Sequence, residues 1–257
     1  MKVALLGPEG TYTHEAALKY FGEFEPVFCS TISEVFDKEA DAKLVPFENS
    51  LGGGVTDSMD KLREKECEIT AEQRLEIDHC LLSKKDSIEE VHKVKSHPQA
   101  LDQCGKFIEE HGFEAKEASS TAGAAADISK GDAAIGSRAA ARVYDLNILE
   151  ESIQDSKGNI TRFFVLGGEK TSQKKTSMIL VPGEDRPGIL HSMLGCFAGH
   201  EVNLSFIQSR PTREGLGKYF FFVEAEKGTD SEEMQKSLKC LETYSNVEIL
   251  GSYSVKE

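Results

Sequence analysis

Over the first two thirds of the chain, short apolar runs alternate with segments in which apolar residues recur at helical spacing. Short apolar runs are typical of buried strands, and a 3.6-residue periodicity is typical of helices. The predicted strands lie at residues 2–7, 26–29, 43–47, 67–83, 113–118 and 133–137, with a further strand opening at Val94. Strands that alternate with helices predict an α/β fold with a mainly parallel sheet.

Polar side chains mark the junctions at which a predicted strand gives way to a helix. They lie near Thr11, Asn49, Ser96, Thr121 and Ser137. Ligands of open α/β sheets bind at the carboxyl ends of the strands, and helix N-termini favour anions. If two such sheets face each other, we expect several helix N-termini to converge on one cleft.

Two segments carry the polar groups best suited to chemistry. Glu48, Asn49 and Ser50 precede three successive glycines at 52–54, which let a backbone approach a ligand closely. Thr161 and Arg162 open an apolar strand, where a hydroxyl and a guanidinium suit an anionic substrate that loses an oxygen. The alternative interpretations are a flexible turn and an edge strand with solvated polar residues.

The last third of the chain has a different pattern. Residues 168–177 are polar, carry three lysines and are interpreted as a linker. After them, apolar runs and amphipathic segments predict the order βαββαβ, which is a ferredoxin-like module. An open edge strand of such a module favours dimer formation.

Charge and composition narrow the class of protein. The chain has 257 residues and a net charge of −14, which argues against nucleic acid as a partner. An anion site must therefore be built locally from cations or helix N-termini. No apolar run approaches membrane-spanning length and the start does not resemble a signal peptide, so we expect no membrane partner and a cytoplasmic location.

The cysteines and histidines give no sign of a metal site. The six cysteines, scattered and without a CxxC pair, are interpreted as reduced thiols: Cys29, Cys67, Cys80, Cys104, Cys196 and Cys240. The seven histidines show no ligand spacing. We therefore expect no bound metal.

Several runs, in order, resemble the monofunctional prephenate dehydratase family with a C-terminal ACT regulatory domain. They are GPEGTYTHEAA from Gly7, VPFENSLGG from Val45, SHPQAL from Ser96, STAGAA from Ser120 and NITRFFVL from Asn159. DRPGIL from Asp185 and NLSFIQSRP from Asn203 resemble the phenylalanine-sensing module. The resemblance implies a two-lobed catalytic region with a cleft, like that of periplasmic binding proteins. It implies the boundaries 1–170 for this region (lobes 1–78 with 155–170, and 79–154) and 176–257 for the ACT domain.

The family's reaction removes carbon dioxide and hydroxide from prephenate to give phenylpyruvate, and aromatisation drives it without a cofactor. The leaving hydroxide needs a proton or a strong hydrogen bond. The resemblance assigns this role to Thr161, while Glu48 stays open as an alternative proton source if burial raises its pKa. The implied catalytic residues are Glu48, Asn49, Ser50, Thr161, Arg162 and Phe163. The implied substrate-binding residues are Thr11, Ser96, His97, Gln99 and Thr121.

The resemblance also implies feedback inhibition by L-phenylalanine, bound between ACT modules of two subunits in a homodimer or homotetramer. The implied effector residues are Pro187, Gly188, Ile189, Leu190, Asn203, Leu204 and Ser209. Gln208 stands where the family usually has Glu, and His191 where a small apolar residue is usual. A purely structural dimerisation module is the alternative.

Two other functions fit the same features. Arogenate dehydratase performs the same elimination on the aminated substrate. A non-catalytic, two-lobed protein that senses an amino acid would share the architecture, because a fold does not fix a function. The polar residues at Glu48 to Ser50 and at Thr161 and Arg162 favour an enzyme.

Overall fold

The computed structural model describes residues 1–128, 132–212 and 218–256. The sequence predicts a turn rich in arginine and glycine that begins at Arg210 and Pro211, and most of it, at 213–217, lies outside the described residues. The strands are β1 (Lys2–Leu6), β2 (Glu25–Cys29), β3 (Ala42–Asn49), β4 (Gly53–Gly54), β5 (Ile69–Glu76), β6 (Cys80–Ser83), β7 (Lys93–Ser96), β8 (Glu114–Glu117), β9 (Asp132–Gly136), β10 (Asn147–Glu150), β11 (Ile160–Gly167), β12 (Lys175–Pro182), β13 (Leu204–Pro211), β14 (Tyr219–Ala225), β15 (Ser245–Tyr253) and β16 (Val255–Lys256). The α-helices are α1 (Tyr12–Phe21), α2 (Ile32–Asp37), α3 (Thr56–Glu64), α4 (Pro98–Gln103), α5 (Gly105–His111), α6 (Thr121–Ala126), α7 (Arg138–Val143), α8 (Ile189–Ala198) and α9 (Glu232–Leu241).

The chain forms two compact units. The first comprises Met1–Val55 with Gln73–Phe163, and the second Thr56–Glu72 with Phe164–Lys256. The first unit holds two sheets. In one sheet, the strands of this unit follow the order β5-β11-β3-β1-β2. In the other sheet, the order is β10-β6-β9-β7-β8.

The strand directions confirm only part of the predicted parallel sheet. β1 is parallel to β2 and β3, and β7 is parallel to β8 and β9. β6 instead pairs antiparallel with both β9 and β10. The parallel strand β1 is buried on both faces, which explains its uninterrupted apolar run: Val3, Ala4 and Leu5 are fully buried.

The second unit contains the predicted ferredoxin-like module. Its four antiparallel strands follow the order β13-β14-β12-β15, and the chain order β12-α8-β13-β14-α9-β15 confirms βαββαβ. One core joins the helices to the sheet, with Met193 and Phe197 of α8 and Met234 of α9 packed near Met178 and Val223. The α3 helix and the start of β5 also belong to this unit.

The linker prediction for residues 168–177 is wrong at its C-terminal end. β12 begins at Lys175, whose ammonium is buried 2.9 Å from Glu72 and 3.2 Å from Glu224. The sequence alone does not distinguish a lysine that is neutralised by two buried carboxylates from a lysine that is exposed to solvent. Ahead of it, Lys170 pairs with Glu68 at 2.6 Å, so this segment too is held by side-chain contacts.

Two further expectations need correction. Cys196 of α8 and Cys240 of α9 form a disulfide, whereas all cysteines were interpreted as reduced. The two lie 44 residues apart in sequence, so only the side-by-side packing of the two helices brings their Cα atoms to 5.6 Å. The sequence also predicts Ser33 as a cap for the helix that carries Val35 and Phe36, but α2 is capped by Thr31, which accepts from the Glu34 amide.

Candidate active site

The first unit contains a cavity of about 410 Å³. Its walls come from the ends of β3 and β5, the start of β11 and the N-termini of α1, α4 and α6. The lining residues are Tyr12, Thr13, Pro46, Asn49, Gly52, Gly53, Gly54, Val55, Ile77, His79, His97, Gln99, Ala100, Gln103, Ser119, Ser120, Thr121, Asn159, Thr161 and Phe163.

The helix N-termini at this cavity are shaped by capping side chains. Thr11 accepts from the His14 amide at the start of α1, and Ser120 accepts from the Gly123 amide at the start of α6. The His97 imidazole accepts from the Gln99 amide before α4, where Pro98 occupies the first turn. Capping fixes the chain direction here, and helix N-termini favour negative charge nearby.

The Thr161 hydroxyl is oriented by the Asn49 amide. Asn49 Oδ1 accepts from the backbone amides of Leu51, at 3.0 Å, and Gly52, at 2.8 Å. The Asn49 Nδ2 must therefore face β11, where it donates to Thr161 Oγ1 at 3.0 Å. Since this oxygen is used as an acceptor, the hydroxyl proton of Thr161 is left to donate towards the cavity.

Strand alternation separates the predicted catalytic residues. Thr161 and the buried Phe163 line the cavity, but Arg162 and Glu48 do not. The Arg162 guanidinium donates to Glu48 at 2.6 Å and lies over the Phe47 ring. Arg162 is expected to orient the site or to hold a substrate carboxylate, and Glu48 is the alternative proton source; both roles stay predictions, made for residues that pair with each other outside the cavity lining. Successive residues of a strand point to opposite faces, so both side chains turn away from Thr161.

Other predicted residues support the walls without lining them. The Ser50 hydroxyl donates to the Gly158 carbonyl and accepts from the Ile160 amide, which ties the start of β11 to the end of β3. Ser96 is buried and donates to the Ile135 carbonyl at 2.7 Å. The Thr11 hydroxyl donates to the Leu6 carbonyl, and Thr11 is likewise absent from the lining.

His97, Gln99 and Thr121 do line the cavity, as the resemblance implies. The side chains of Gln99 and Thr121 form no hydrogen bond with the parts of the chain that the structure describes. Their amide and hydroxyl groups are therefore available to a ligand.

Thr13, Ser119 and Ser120 line this cavity without a predicted role in the site, and so do four further polar residues. Tyr12, His79, Gln103 and Asn159 line it together with Thr161. Tyr12 and Asn159 fall within the resembling runs but were given no role, and no spacing pattern singles out His79 or Gln103. Asn159 accepts from Asn49 at 2.6 Å, so it shares the Nδ2 group that orients Thr161.

The described lining of the cavity includes hydroxyl, amide and imidazole side chains and carries no carboxylate, lysine or arginine. Burial lowers the pKa of His79, which favours its neutral form, and burial raises the pKa of Tyr12 well above its usual value. An anion would therefore meet N–H and O–H donors and helix N-termini there. Among the described residues, no group of three or more histidine, cysteine or acidic side chains is placed to hold a metal ion.

The predicted effector residues lie in the second unit and are less enclosed. Pro187, Gly188, Asn203 and Ser209 are exposed, and Leu190 and Leu204 are half-buried. The Asn203 amide donates to Glu226 at 2.7 Å. Of the seven, only Ile189 lines cavities of this unit, of about 580 and about 290 Å³.

Comparison with known families gives two matches along the chain. The model of the prephenate dehydratase family matches residues 3–171, and that of the ACT domain matches residues 177–242.

Curated relatives match nearly the whole chain. A bifunctional chorismate mutase/prephenate dehydratase of Aquifex aeolicus is 41% identical, over 98% of this chain and 73% of that protein. A prephenate dehydratase of Methanocaldococcus jannaschii is 36% identical, over 96% of both. An arogenate dehydratase/prephenate dehydratase of Arabidopsis thaliana is 35% identical, over 99% of this chain and 73% of that protein.

Solved structures share the fold along the full chain. The quorum quenching acylase GqqA superposes with a TM-score of 0.91 at 26% identity, covering 100% of this chain and 98% of that one. The prephenate dehydratase of Arthrobacter aurescens in complex with L-Phe gives a TM-score of 0.87 at 32% identity, covering 99% and 90%. These structures and the family matches confirm the predicted two-lobed α/β region followed by an ACT domain.

Proposed function

Since this chain belongs to the prephenate dehydratase family and carries an ACT domain, we propose that it converts prephenate to phenylpyruvate with loss of carbon dioxide and hydroxide. The observation that supports this most is the Thr161 hydroxyl, which faces the cavity and has its oxygen occupied by the Asn49 amide.

The cavity supplies what this elimination needs. The departing ring carboxylate leaves its electron pair in the ring, and the ring hydroxyl departs from the opposite carbon, so no base has to remove a proton. The Thr161 O–H donates a hydrogen bond to the leaving oxygen, and one oriented donor of this kind contributes roughly 10²–10³ in rate. Phe163 supplies an apolar wall, which favours loss of carbon dioxide because the carboxylate sheds its hydration there.

The direct test is turnover of prephenate by the purified protein, measured as phenylpyruvate formed. We expect turnover without an added metal or cofactor. Absence of phenylpyruvate would refute the proposal and would favour the non-catalytic, amino-acid-sensing alternative.

Prephenate is proposed over arogenate because of the charges at the cavity. Arogenate carries an ammonium group, which is bound best by a carboxylate, and no carboxylate is found among the described lining residues. A side-by-side assay should give the higher kcat/KM with prephenate. The reverse preference would make arogenate the substrate, which is one of the two activities in the Arabidopsis relative's name.

We further propose that L-phenylalanine inhibits the enzyme through the ACT domain. The Arthrobacter relative was solved in complex with L-Phe, and here Gly188, Ile189 and Leu190 form the turn into α8 while Asn203 precedes β13. Titration calorimetry and assays with added phenylalanine test this. If phenylalanine does not bind, a structural dimerisation module remains the better interpretation.

The assembly and location are also proposals. The exposed effector residues favour a site completed by a second subunit, and hence a homodimer or homotetramer. Sedimentation of the purified protein tests this, and a monomer would refute it. No helix in the described ranges is long and apolar enough to cross a membrane. A cytoplasmic location, which fractionation of cells would test, is proposed from the family's biosynthetic role.

A further inference from the structure

Hydrogen bonds form a continuous chain from Thr161 to Tyr12 along the wall of the cavity. Asn49 Nδ2 donates to Thr161 at 3.0 Å and to Asn159 Oδ1 at 2.6 Å. Asn159 Nδ2 donates to Gln103 Oε1 at 3.1 Å. His79 Nε2 lies 2.8 Å from the same Gln103 oxygen, and His79 Nδ1 lies 2.6 Å from the Tyr12 hydroxyl.

The chemistry of these groups fixes the direction of each bond. Gln103 Oε1 can only accept, so His79 must carry its proton on Nε2. Burial lowers the pKa of His79 and so favours the neutral ring, which leaves Nδ1 to accept. The Tyr12 hydroxyl donates to this nitrogen at 2.6 Å in preference to the Asp78 carbonyl, which lies at 3.3 Å. Two donors therefore converge on one oxygen of Gln103, and this prevents its amide from turning over.

Two hydrogen bonds hold the backbone of His79 in place. Its amide donates to Gln154 Oε1 at 2.9 Å, and its carbonyl accepts from the Ile153 amide at 3.0 Å. The imidazole is buried and meets the Tyr12 ring edge to face, with ring centres 5.5 Å apart. His79 is thus held in place on one side of this chain of hydrogen bonds, and Thr161, whose hydroxyl faces the cavity, lies on the other side.

We propose that His79 is a positioning residue for the elimination. It fixes the amide of Gln103, which fixes Asn159. Asn159 and the backbone amides of Leu51 and Gly52 together hold the Asn49 amide, so that the oxygen of Thr161 accepts and its proton points to the substrate. This inference rests on the proposed function of Thr161. Reactions are sensitive to such orientation, and a small misplacement of a reacting group can cost about 10² in rate.

The kinetic test compares two substitutions at the same position. His79→Leu removes both ring nitrogens and should lower kcat for prephenate by roughly tenfold to 10²-fold, with KM little changed. His79→Gln keeps a donor for Gln103 and an acceptor for Tyr12, and it should recover most of the lost kcat. Equal damage in both variants, or normal kcat in His79→Leu, would overturn the proposal.

His14 provides the matched control. It is also a buried histidine of the first unit, its pKa is also lowered by burial, and its Nδ1 accepts from the Gly10 amide at 3.2 Å. It takes no part in the chain that ends at Thr161. His14→Gln should therefore leave kcat near that of the unchanged enzyme. A fall in kcat as large as that of His79→Leu would show that losing any buried imidazole has this effect, and it would overturn the proposal.

A spectroscopic measurement tests the chain without using activity. In protein labelled with ¹⁵N-histidine, the resonances that disappear in His79→Gln belong to His79. At neutral pH they should show an uncharged ring with its proton on Nε2, and a proton on Nδ1 would overturn the proposal even if His79→Leu fails to fold. If the unchanged protein does not turn over prephenate, the proposed function fails, while this measurement still decides whether the chain exists.

Discussion

The cavity around Thr161 and the predicted effector residues near Gly188 differ in how completely one chain builds them. Around Thr161, polar side chains from separate segments are hydrogen-bonded to one another and enclose a volume of about 410 Å³. Near Gly188, the predicted residues are mostly exposed, and the Asn203 amide already donates to Glu226.

This difference separates two kinds of site. Groups that are preorganised by their own chain need no rearrangement when the reaction occurs, which is the main source of electrostatic catalysis. Exposed groups gain affinity only when a ligand or a second subunit buries them, so their response depends on assembly. The following experiments test this contrast, from the largest expected effect to the smallest.

Replacing Thr161 should have the largest effect. Thr161→Val keeps the shape of the side chain but removes its O–H group. Among the described residues, this is the only O–H that Asn49 orients towards the cavity. We therefore expect kcat to fall by about 10²–10⁴. Thr161→Ser should keep much more activity because it retains the hydroxyl. Steady-state assays with prephenate measure this, and unfolding curves confirm that the Val variant is folded. Near-normal turnover in that variant would remove Thr161 from the mechanism.

Removing the disulfide should destabilise the second unit. The Cys196→Ser/Cys240→Ser variant opens a cross-link that spans 44 residues, and such links typically contribute about 2–4 kcal/mol to the free energy of unfolding. Denaturant unfolding of both proteins measures the loss. Cys67→Ser, which changes a half-buried cysteine of the same unit that forms no disulfide, is the control. Identical midpoints for the double variant and the unchanged protein would show that the disulfide contributes nothing.

Breaking the ion pair behind the cavity should affect stability more than rate. Glu48→Gln removes the carboxylate that lies 2.6 Å from the partly buried Arg162 guanidinium, whose side chain is 12% exposed, which should cost about 1–3 kcal/mol in the free energy of unfolding. Turnover should stay close to normal because neither residue lines the cavity. A fall in kcat of about 10² or more would support Glu48 as the proton source.

The smallest effect concerns acid stability. Burial lowers the pKa of both His14 and His79 from 6.5, so below that pH the unfolded chain takes up protons that the folded chain does not. These residues therefore destabilise the fold as the pH falls through about 6.5, by at most about 1.4 kcal/mol per pH unit each. Unfolding free energies at neutral and mildly acidic pH should differ less in His14→Gln than in the unchanged protein. An unchanged difference would indicate that His14 is protonated equally in both states.

The sequence predicted the fold better than the site. Uninterrupted apolar runs such as Val3 to Leu5 mark strands buried on both faces, and caps such as Ser120 and Ser137 mark helix starts because these signals are local. The antiparallel pairing of β6 was not predictable, since strand direction depends on distant partners.

The site was only partly predictable for a similar reason. The bond between Asn49 and Asn159 joins residues 110 positions apart, and no pattern along the chain reports it. Strand alternation does predict the opposite orientation of Arg162, because a residue next to Thr161 in a strand must face the other side of the sheet. A buried lysine such as Lys175 looks like a solvated one until its carboxylate partners are known.

The alternation along β11 also limits how the length of the chain can change. A single-residue insertion between Asn159 and Thr161 would exchange the two faces of the strand, placing a guanidinium in the cavity and the hydroxyl behind the sheet. The preceding loop at 154–158, which is largely exposed, has no such restriction of its own. Length variation among homologous enzymes should therefore accumulate in the loop and be excluded from the first residues of the strand.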